Sequence, residues 1–419
     1  MVLTSICFTI YIALVTEVCA QSMTEEPLQP LEFNDVANVL ALNLFHVMPA
    51  INLVASTLMV RLPLIKLASV ANGETKAELM TALGFNNVTW MLGAYGRLRE
   101  RIAMLLLGDL LYVNKIYINQ SKIVNRRFIA NSEYEYGVKV ETVAFKYPLA
   151  VVSHINKWMS SSTLRRIIDI VDINDIDANT SMVIANGIHF KVTWEFPFNY
   201  ARTRLEKFYH INGSVSYVNM MLKVNYFEYV DTGEYQAVKL RLMRGNTHMI
   251  FLLPHSKDAL PYLIEKMYAD PNYLTPFFKR MTADKPIVVK IPRFNIKTYV
   301  DWTGFLQDMG VVSVFNCSTS DLSGMFYPGF GPEDRMCLNK IKQKVFLEVD
   351  EMGVNRQPFS PVIAGGIAEE MADKIGESSF RELVFDRPFY FTTNIYFSNA
   401  HNHELLTGVY YGPEATIRK

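Results

Sequence analysis

His401 and His403 stand at i and i+2 in a predicted turn. Imidazoles at that spacing could bind a metal if the same turn supplied carboxylates. Without them the pair reads as a solvated turn, and no metal site is expected. Arg97, Arg99 and Arg101 follow one another at alternate positions of a predicted helix, with Arg97 and Arg101 on one face. That face could hold a sulfated polysaccharide. Glu100 interrupts it, so the solvated reading is preferred and a glycosaminoglycan partner is not expected. The sequence contains no G-x-S-x-G elbow and no H-E-x-x-H or C-x-x-C pair. It also has no G-x-x-x-x-G-K and no G-x-G-x-x-G. The expectation is a protein that is not an enzyme and carries no cofactor.

The whole chain agrees with that reading. It has 419 residues, with 41 basic and 41 acidic side chains, and half of its residues are apolar. Disorder needs low hydrophobicity and high net charge, and this composition has neither. A neutral balance also excludes nucleic-acid binding driven by bulk charge. A monomer is expected, with no nucleic-acid or membrane partner.

The ends point to a compartment. Residues 2–15 carry no charge and are mostly apolar; Val18-Cys19-Ala20 follow, then polar Gln21-Ser22. This reads as a secretory signal peptide over residues 1–20. A membrane anchor would need about 20 apolar residues, and Glu17 closes the run early. Cleavage would remove Cys7 and Cys19, leaving Cys317 and Cys337 either as a disulfide or as two isolated thiols. Five N-x-S/T sequons fit an extracellular glycoprotein: Asn87, Asn119, Asn179, Asn212 and Asn316.

The remaining pattern is one of helices early and strands late. Residues 74–84 form a predicted amphipathic helix closed by Gly84, and residues 150–159 and 301–309 repeat helical spacing. From about Ser181 strands take over: 181–186, 235–243 and 247–253 about a hairpin, 286–294, 344–350, 390–397 and 404–410. No repeat or linker divides the chain, so a single α+β domain over 21–419 is expected. Between two strand regions, residues 352–382 carry Gly353, Pro358, Pro361, Gly365, Gly366 and Gly376. A loop that long in a compact domain is usually functional, and it is easily cut by proteases.

Several separated motifs, in order, resemble the serpin family. Asn186-Gly187-Ile188-His189-Phe190-Lys191-Val192-Thr193-Trp194 resembles its N-A-I-Y-F-K-G-x-W. Val218-Asn219-Met220-Met221, Asp321-Leu322-Ser323-Gly324-Met325, and Phe385-Asp386-Arg387-Pro388-Phe389-Tyr390-Phe391 with Leu406-Thr407-Gly408 resemble three more. The resemblance implies about nine helices, three β-sheets and an exposed reactive-centre loop over 352–382. In inhibitory members a target protease cleaves that loop, is held as an acyl-enzyme, and is distorted as the loop inserts into the main sheet. The implied partner is an extracellular serine protease.

The hinge departs from the family's pattern. Glu351-Met352-Gly353 matches its E-x-G, but small residues should follow, and here stand Val354, Asn355, Arg356, Gln357 and Pro358. At period 2, Val354, Arg356 and Pro358 share the face that insertion would bury. An unpaired buried guanidinium costs several kcal/mol, and proline cannot donate to a central ladder. Counting from the hinge puts the scissile bond at Ile367-Ala368, counting back from Pro388-Phe389 puts it at Glu377-Ser378, and basic Lys374-Ile375 fits neither. The disagreement implies an insertion, which costs little closure entropy. In the helix expected under the main sheet, Asn52 and Ser56 match the family, Met59 replaces a Ser, and Arg61, Pro63 and Lys66 interrupt the apolar pattern. Gln343 stands where many members have His. A secreted, non-inhibitory or weak member is the preferred reading, with covalent trapping of a serine protease as the alternative.

Overall fold

The computed structural model describes residues 33–48, 50–105, 110–243, 246–327, 335–351, 380–398 and 401–413. Most of the described helices precede residue 181 and most of the described strands follow it, as expected, although three strands lie among the early helices and three helices among the late strands. The early part runs α1 (Phe33–Val47), β1 (Leu53–Ala55), α2 (Thr57–Ala68), α3 (Gly73–Ala82), α4 (Val88–Leu105) and β2 (Leu110–Asn119). Next come α5 (Arg126–Tyr136), β3 (Lys139–Val143), α6 (Pro148–Ser162), β4 (Met182–Lys191), β5 (Arg204–Tyr209) and β6 (Val215–Asn225). Then β7 (Glu228–Asp231), β8 (Tyr235–Arg241), β9 (Thr247–Pro254), α7 (Leu260–Ala269) and α8 (Thr275–Phe278) follow. The chain closes with β10 (Ile287–Pro292), β11 (Phe294–Asp301), α9 (Trp302–Asp308), β12 (Lys340–Val349), β13 (Arg381–Val384), β14 (Phe389–Ser398) and β15 (His401–Tyr410).

The strands form three sheets, so the fold is α+β, with nine helices among the described residues. The five-stranded sheet has the order β11-β12-β4-β2-β3. The six-stranded sheet runs β1-β15-β14-β9-β8-β7, and the four-stranded sheet β13-β10-β6-β5. Residues 286–294 do not make one strand as expected. β10 lies in the four-stranded sheet and β11 in the five-stranded one, so the chain changes sheet at Arg293.

Local chemistry sets several boundaries. Asn125 caps α5 by accepting from the Arg127 N–H at 2.9 Å, and Gly137 ends it at φ +62°. Asp301 caps α9 through the Thr303 N–H at 3.0 Å. These are the side chains that satisfy orphaned helix-terminal groups.

Helix α2 is the centre of the core, with all twelve residues buried. The three residues expected to interrupt it lie inside a continuous helix. Arg61 donates to the Leu83 carbonyl. The Lys66 ammonium sits 4.7 Å from the Phe128 ring centre and 4.8 Å from that of Tyr136. Both cations are thus buried against acceptors rather than bare hydrocarbon. Pro63 has no N–H for the carbonyl four residues before it, and that carbonyl is supplied from outside the helix.

Candidate functional site

The site is the head of the five-stranded sheet, where β12 ends and the expected loop region begins. Residues 352–379 lie outside the described residues. The expected hinge positions Gly353, Val354, Arg356 and Pro358, and the scissile candidates Ile367, Ala368, Lys374 and Ile375, fall among them. Glu351, which precedes them, is fully buried. Its carboxylate accepts from the Thr203 hydroxyl at 2.8 Å and from the Arg293 guanidinium. Its other oxygen, Oε2, has no hydrogen bond among the described residues. Arg293 is stacked on Tyr200, 5.7 Å from the ring centre, and pairing with Glu351 raises its pKa.

The backbone is fastened as well. The Phe198 N–H donates to the Glu351 carbonyl and the Trp194 indole N–H to that of Asp350, both at 2.8 Å. Trp194 and Phe198 pack edge to face at 5.7 Å, and both are buried. The loop therefore leaves from an anchored residue. Thr203, Tyr200 and Arg293 were not anticipated from sequence. The one signal for Arg293 was a second cation, after Lys290, within the mostly apolar run 286–294.

Below the anchor runs the seam between β4 and β12. The two strands pair in parallel from Val183↔Lys340 to Lys191↔Glu348. Side chains bridge it at several heights. His189 meets Glu348 at 2.9 Å, and Lys191 meets Asp350 at 3.3 Å. Burial holds the His189 imidazole below its ordinary pKa, although Glu348 pulls the other way. Lower down, the Gln343 amide donates to Asn186 Oδ1 at 2.7 Å and to the Ser56 carbonyl at 2.8 Å. It accepts from the Ser56 N–H at 3.2 Å. Gln343 is fully buried and fills the hydrogen-bonding place that the sequence assigned it.

The return segment from α6 to β4, residues 163–181, is laced along β12. Arg166 reaches Glu348 at 4.0 Å, Asp169 accepts from Lys344 at 2.5 Å, and Asp175 meets Lys342. Lys342 also meets Asp301 at 3.0 Å, and these carboxylates raise its pKa against the cost of its burial. The first two pairs are open, with Arg166 51% and Asp169 68% exposed, whereas the third is buried, with Lys342 5% and Asp175 7% exposed.

Other expected residues lie elsewhere. Cys317 and Cys337 are bonded, with Cα atoms 4.6 Å apart and a sequence separation of 20. Closing a loop of that size stabilises by about 3 kcal/mol. The bond ties the turn after α9 to the run entering β12. Asn87, Asn179, Asn212 and Asn316 are exposed. Asn119 is partly buried, and its amide donates to the Thr180 carbonyl at 3.0 Å. Arg99 lies 5.5 Å from the Tyr134 ring, while the side chains of Arg97, Arg101 and His401 are outside the described set. His403 is buried. Among the described residues no group of His, Cys, Asp and Glu could hold a metal ion, and no helix is long and apolar enough to cross a membrane.

Comparisons with known proteins bear on the same regions. The model of the family described as "Serpin (serine protease inhibitor)" matches residues 34–411. Alaserpin of Manduca sexta is 27% identical over 352 residues, covering 83% of this chain and 86% of its own length. Human antithrombin-III is 29% identical over 261 residues, 62% of this chain and 55% of that protein. Among solved structures, Serpin48 of the insect Tenebrio molitor superposes with a TM-score of 0.77 at 22% identity, covering 92% of this chain and 99% of that one. Arabidopsis AtSerpin1 in its native stressed conformation gives 0.75 at 20%, covering 91% and 98%.

Proposed function

This chain belongs to the serpin family, whose members are mostly protease inhibitors, and from that premise we propose a secreted, single-domain member over residues 21–419 that offers 352–382 as protease bait but traps poorly. The observation that carries this reading is the sequence just beyond the anchor, where Arg356 and Pro358 stand at positions that must be buried. Insertion between β4 and β12 would break their parallel ladder. A new strand repays that loss only if its inward residues are small and its amides can donate. A buried unpaired guanidinium costs several kcal/mol, and proline removes a ladder bond. Insertion should stall soon after Val354. The chemistry in any encounter belongs to the serine protease, and this chain is not a catalyst. Secretion is supported by the apolar run in residues 1–20 and by the sequons at Asn87, Asn119, Asn179, Asn212 and Asn316.

Covalent trapping is the second reading. It is favoured by the intact anchor at Glu351 and by a closed five-stranded sheet that still has a seam to open. The purified chain is incubated with trypsin-, chymotrypsin- and elastase-like proteases and run on a denaturing gel. Cutting within 352–382 with no detergent-stable complex is expected. A stable complex would sink the hinge argument and leave covalent trapping in its place.

A further inference from the structure

Strand β5 is an edge of the four-stranded sheet, and β6 pairs with it on one side and with β10 on the other. Their register sets Leu205 opposite Asn219, Lys207 opposite Tyr217 and Tyr209 opposite Val215. Side chains alternate along a strand, so these six share one face. The opposite face is core, with Phe208, Val218 and Met220 buried. The shared face is bare: Leu205 is 66% exposed, Tyr217 59% and Val215 47%. An apolar face on an unpaired edge invites association and is normally covered or interrupted by charge. Here Lys207 and Asn219 are its polar members, and the Lys257 ammonium is already seated 3.3 Å from the Tyr209 ring centre.

The hairpin joining the two strands carries Asn212-Gly213-Ser214. Its inner side is fixed, because the His210 ring is held by the Tyr411 carbonyl at 3.1 Å and the Ser216 hydroxyl at 2.7 Å. Gly213 turns the chain at φ +80°, and its N–H donates to the His210 carbonyl at 3.0 Å. Asn212 Oδ1 accepts from the Ser214 N–H at 3.0 Å and from its hydroxyl at 2.7 Å. The exposed Asn212 Nδ2 has no hydrogen bond among the described residues. The nitrogen that would accept a sugar is therefore open, beside a face that needs a cover. Val215 and Tyr217 follow Asn212 along a strand rising about 3.4 Å per residue, within the span of the first few sugar rings.

We propose that Asn212 carries an N-linked glycan whose first sugars lie on Val215, Tyr217 and Leu205. This rests on the secretory reading above. In the attachment step Asn212 Nδ2 attacks the anomeric carbon of an oligosaccharide carried on a lipid diphosphate. A C–N bond forms, the C–O bond to the diphosphate breaks, the lipid diphosphate leaves, and the Nδ2 proton passes to base. The apolar C–H faces of pyranose rings then cover aromatic and aliphatic surface, while the hydroxyls stay in water.

The full chain is expressed in a secretory eukaryotic cell, and glycopeptides from the medium are mapped by mass spectrometry. Asn212 is expected to be occupied. The parent, Asn212→Gln and Ser214→Ala are then compared for binding of a dye that reports exposed apolar surface, and for self-association by light scattering. Both variants lose the sequon, and dye binding should at least double in each. Adding Leu205→Ser and Tyr217→Ser to Asn212→Gln should return it to the parent level. A bare Asn212 on a chain glycosylated elsewhere overturns this proposal alone. So does an occupied Asn212 whose removal leaves dye binding unchanged. A chain with no glycan at any sequon overturns the secretory reading and this proposal with it.

Discussion

The Met59 carbonyl, which Pro63 cannot bond, is held instead by Asn186 at 3.2 Å and by Asn114 at 3.4 Å. Those two amides project from β4 and β2 and also bond each other. A proline inside a helix normally costs about 3 kcal/mol. Here the missing donor is replaced by two strands of the sheet, so the proline fastens helix to sheet.

Pro63→Ala should therefore do two things. It restores a helical donor to Met59, and it makes the asparagines partly redundant. The cost of Asn114→Ala should fall by about 1 kcal/mol in the Pro63→Ala background. Urea unfolding of the four proteins gives this coupling. Strict additivity would mean that the amides do not stand in for the missing N–H.

The anchor at Glu351 makes a second prediction. Arg293→Ala leaves a fully buried carboxylate with the Thr203 hydroxyl as its remaining described partner. The loss should be about 3 kcal/mol. Adding Glu351→Gln removes the uncompensated charge and should recover about half. If the double variant is no more stable than Arg293→Ala alone, the guanidinium is not neutralising Glu351.

The loop supplies a third. Cutting Arg356→Ala/Pro358→Ala within 352–382 should raise its melting temperature more than cutting the parent does. The variant can bury a longer stretch of loop as a strand. Equal shifts in both proteins would remove these two residues from the account.

Stability should also fall as pH rises from 4.5 to about 7. Burial lifts the Glu404 carboxyl from 4.5 to about 7. Below 4.5 it is protonated in both the folded and the unfolded chain. Between 4.5 and 7 the unfolded chain ionises first, so folding loses ground as pH rises, and above 7 the penalty is constant. Allowing for the partial exposure of the side chain, the loss is about 2 kcal/mol. Glu404→Gln should flatten this slope, as read from unfolding midpoints at pH 5 and pH 8. The lowered carboxyls of Glu141, Asp231 and Asp301 contribute stability that is lost only as pH falls through the acid range, so the two effects occupy different windows. An unchanged slope in Glu404→Gln would assign it to another group.

Much of the architecture was legible because the family's motifs mark strand ends and turns. Asn186 to Trp194 located β4 and its exit, and Glu351 located the end of β12. β2 was missed because its centre is buried on both faces, so no alternation announces it. Arg61, Lys66 and Pro63 read as faults in α2 because their partners, Leu83, Phe128, Tyr136, Asn114 and Asn186, lie far along the chain. The anchor was half legible for the same reason: Glu351 has a motif, whereas Thr203 and Arg293 only converge on it in space.

Two exposed pairs followed by one buried pair give the contact between the return segment and β12 a direction. Salt screens the exposed Asp169–Lys344 and Arg166–Glu348 contacts far more than the buried Asp175–Lys342 pair. Moderate ionic strength should therefore loosen the return segment from its start after α6 while its far end stays pinned. The segment peels like a strip fixed at one edge, and amide exchange near residue 166 should rise with salt before exchange near residue 175 does.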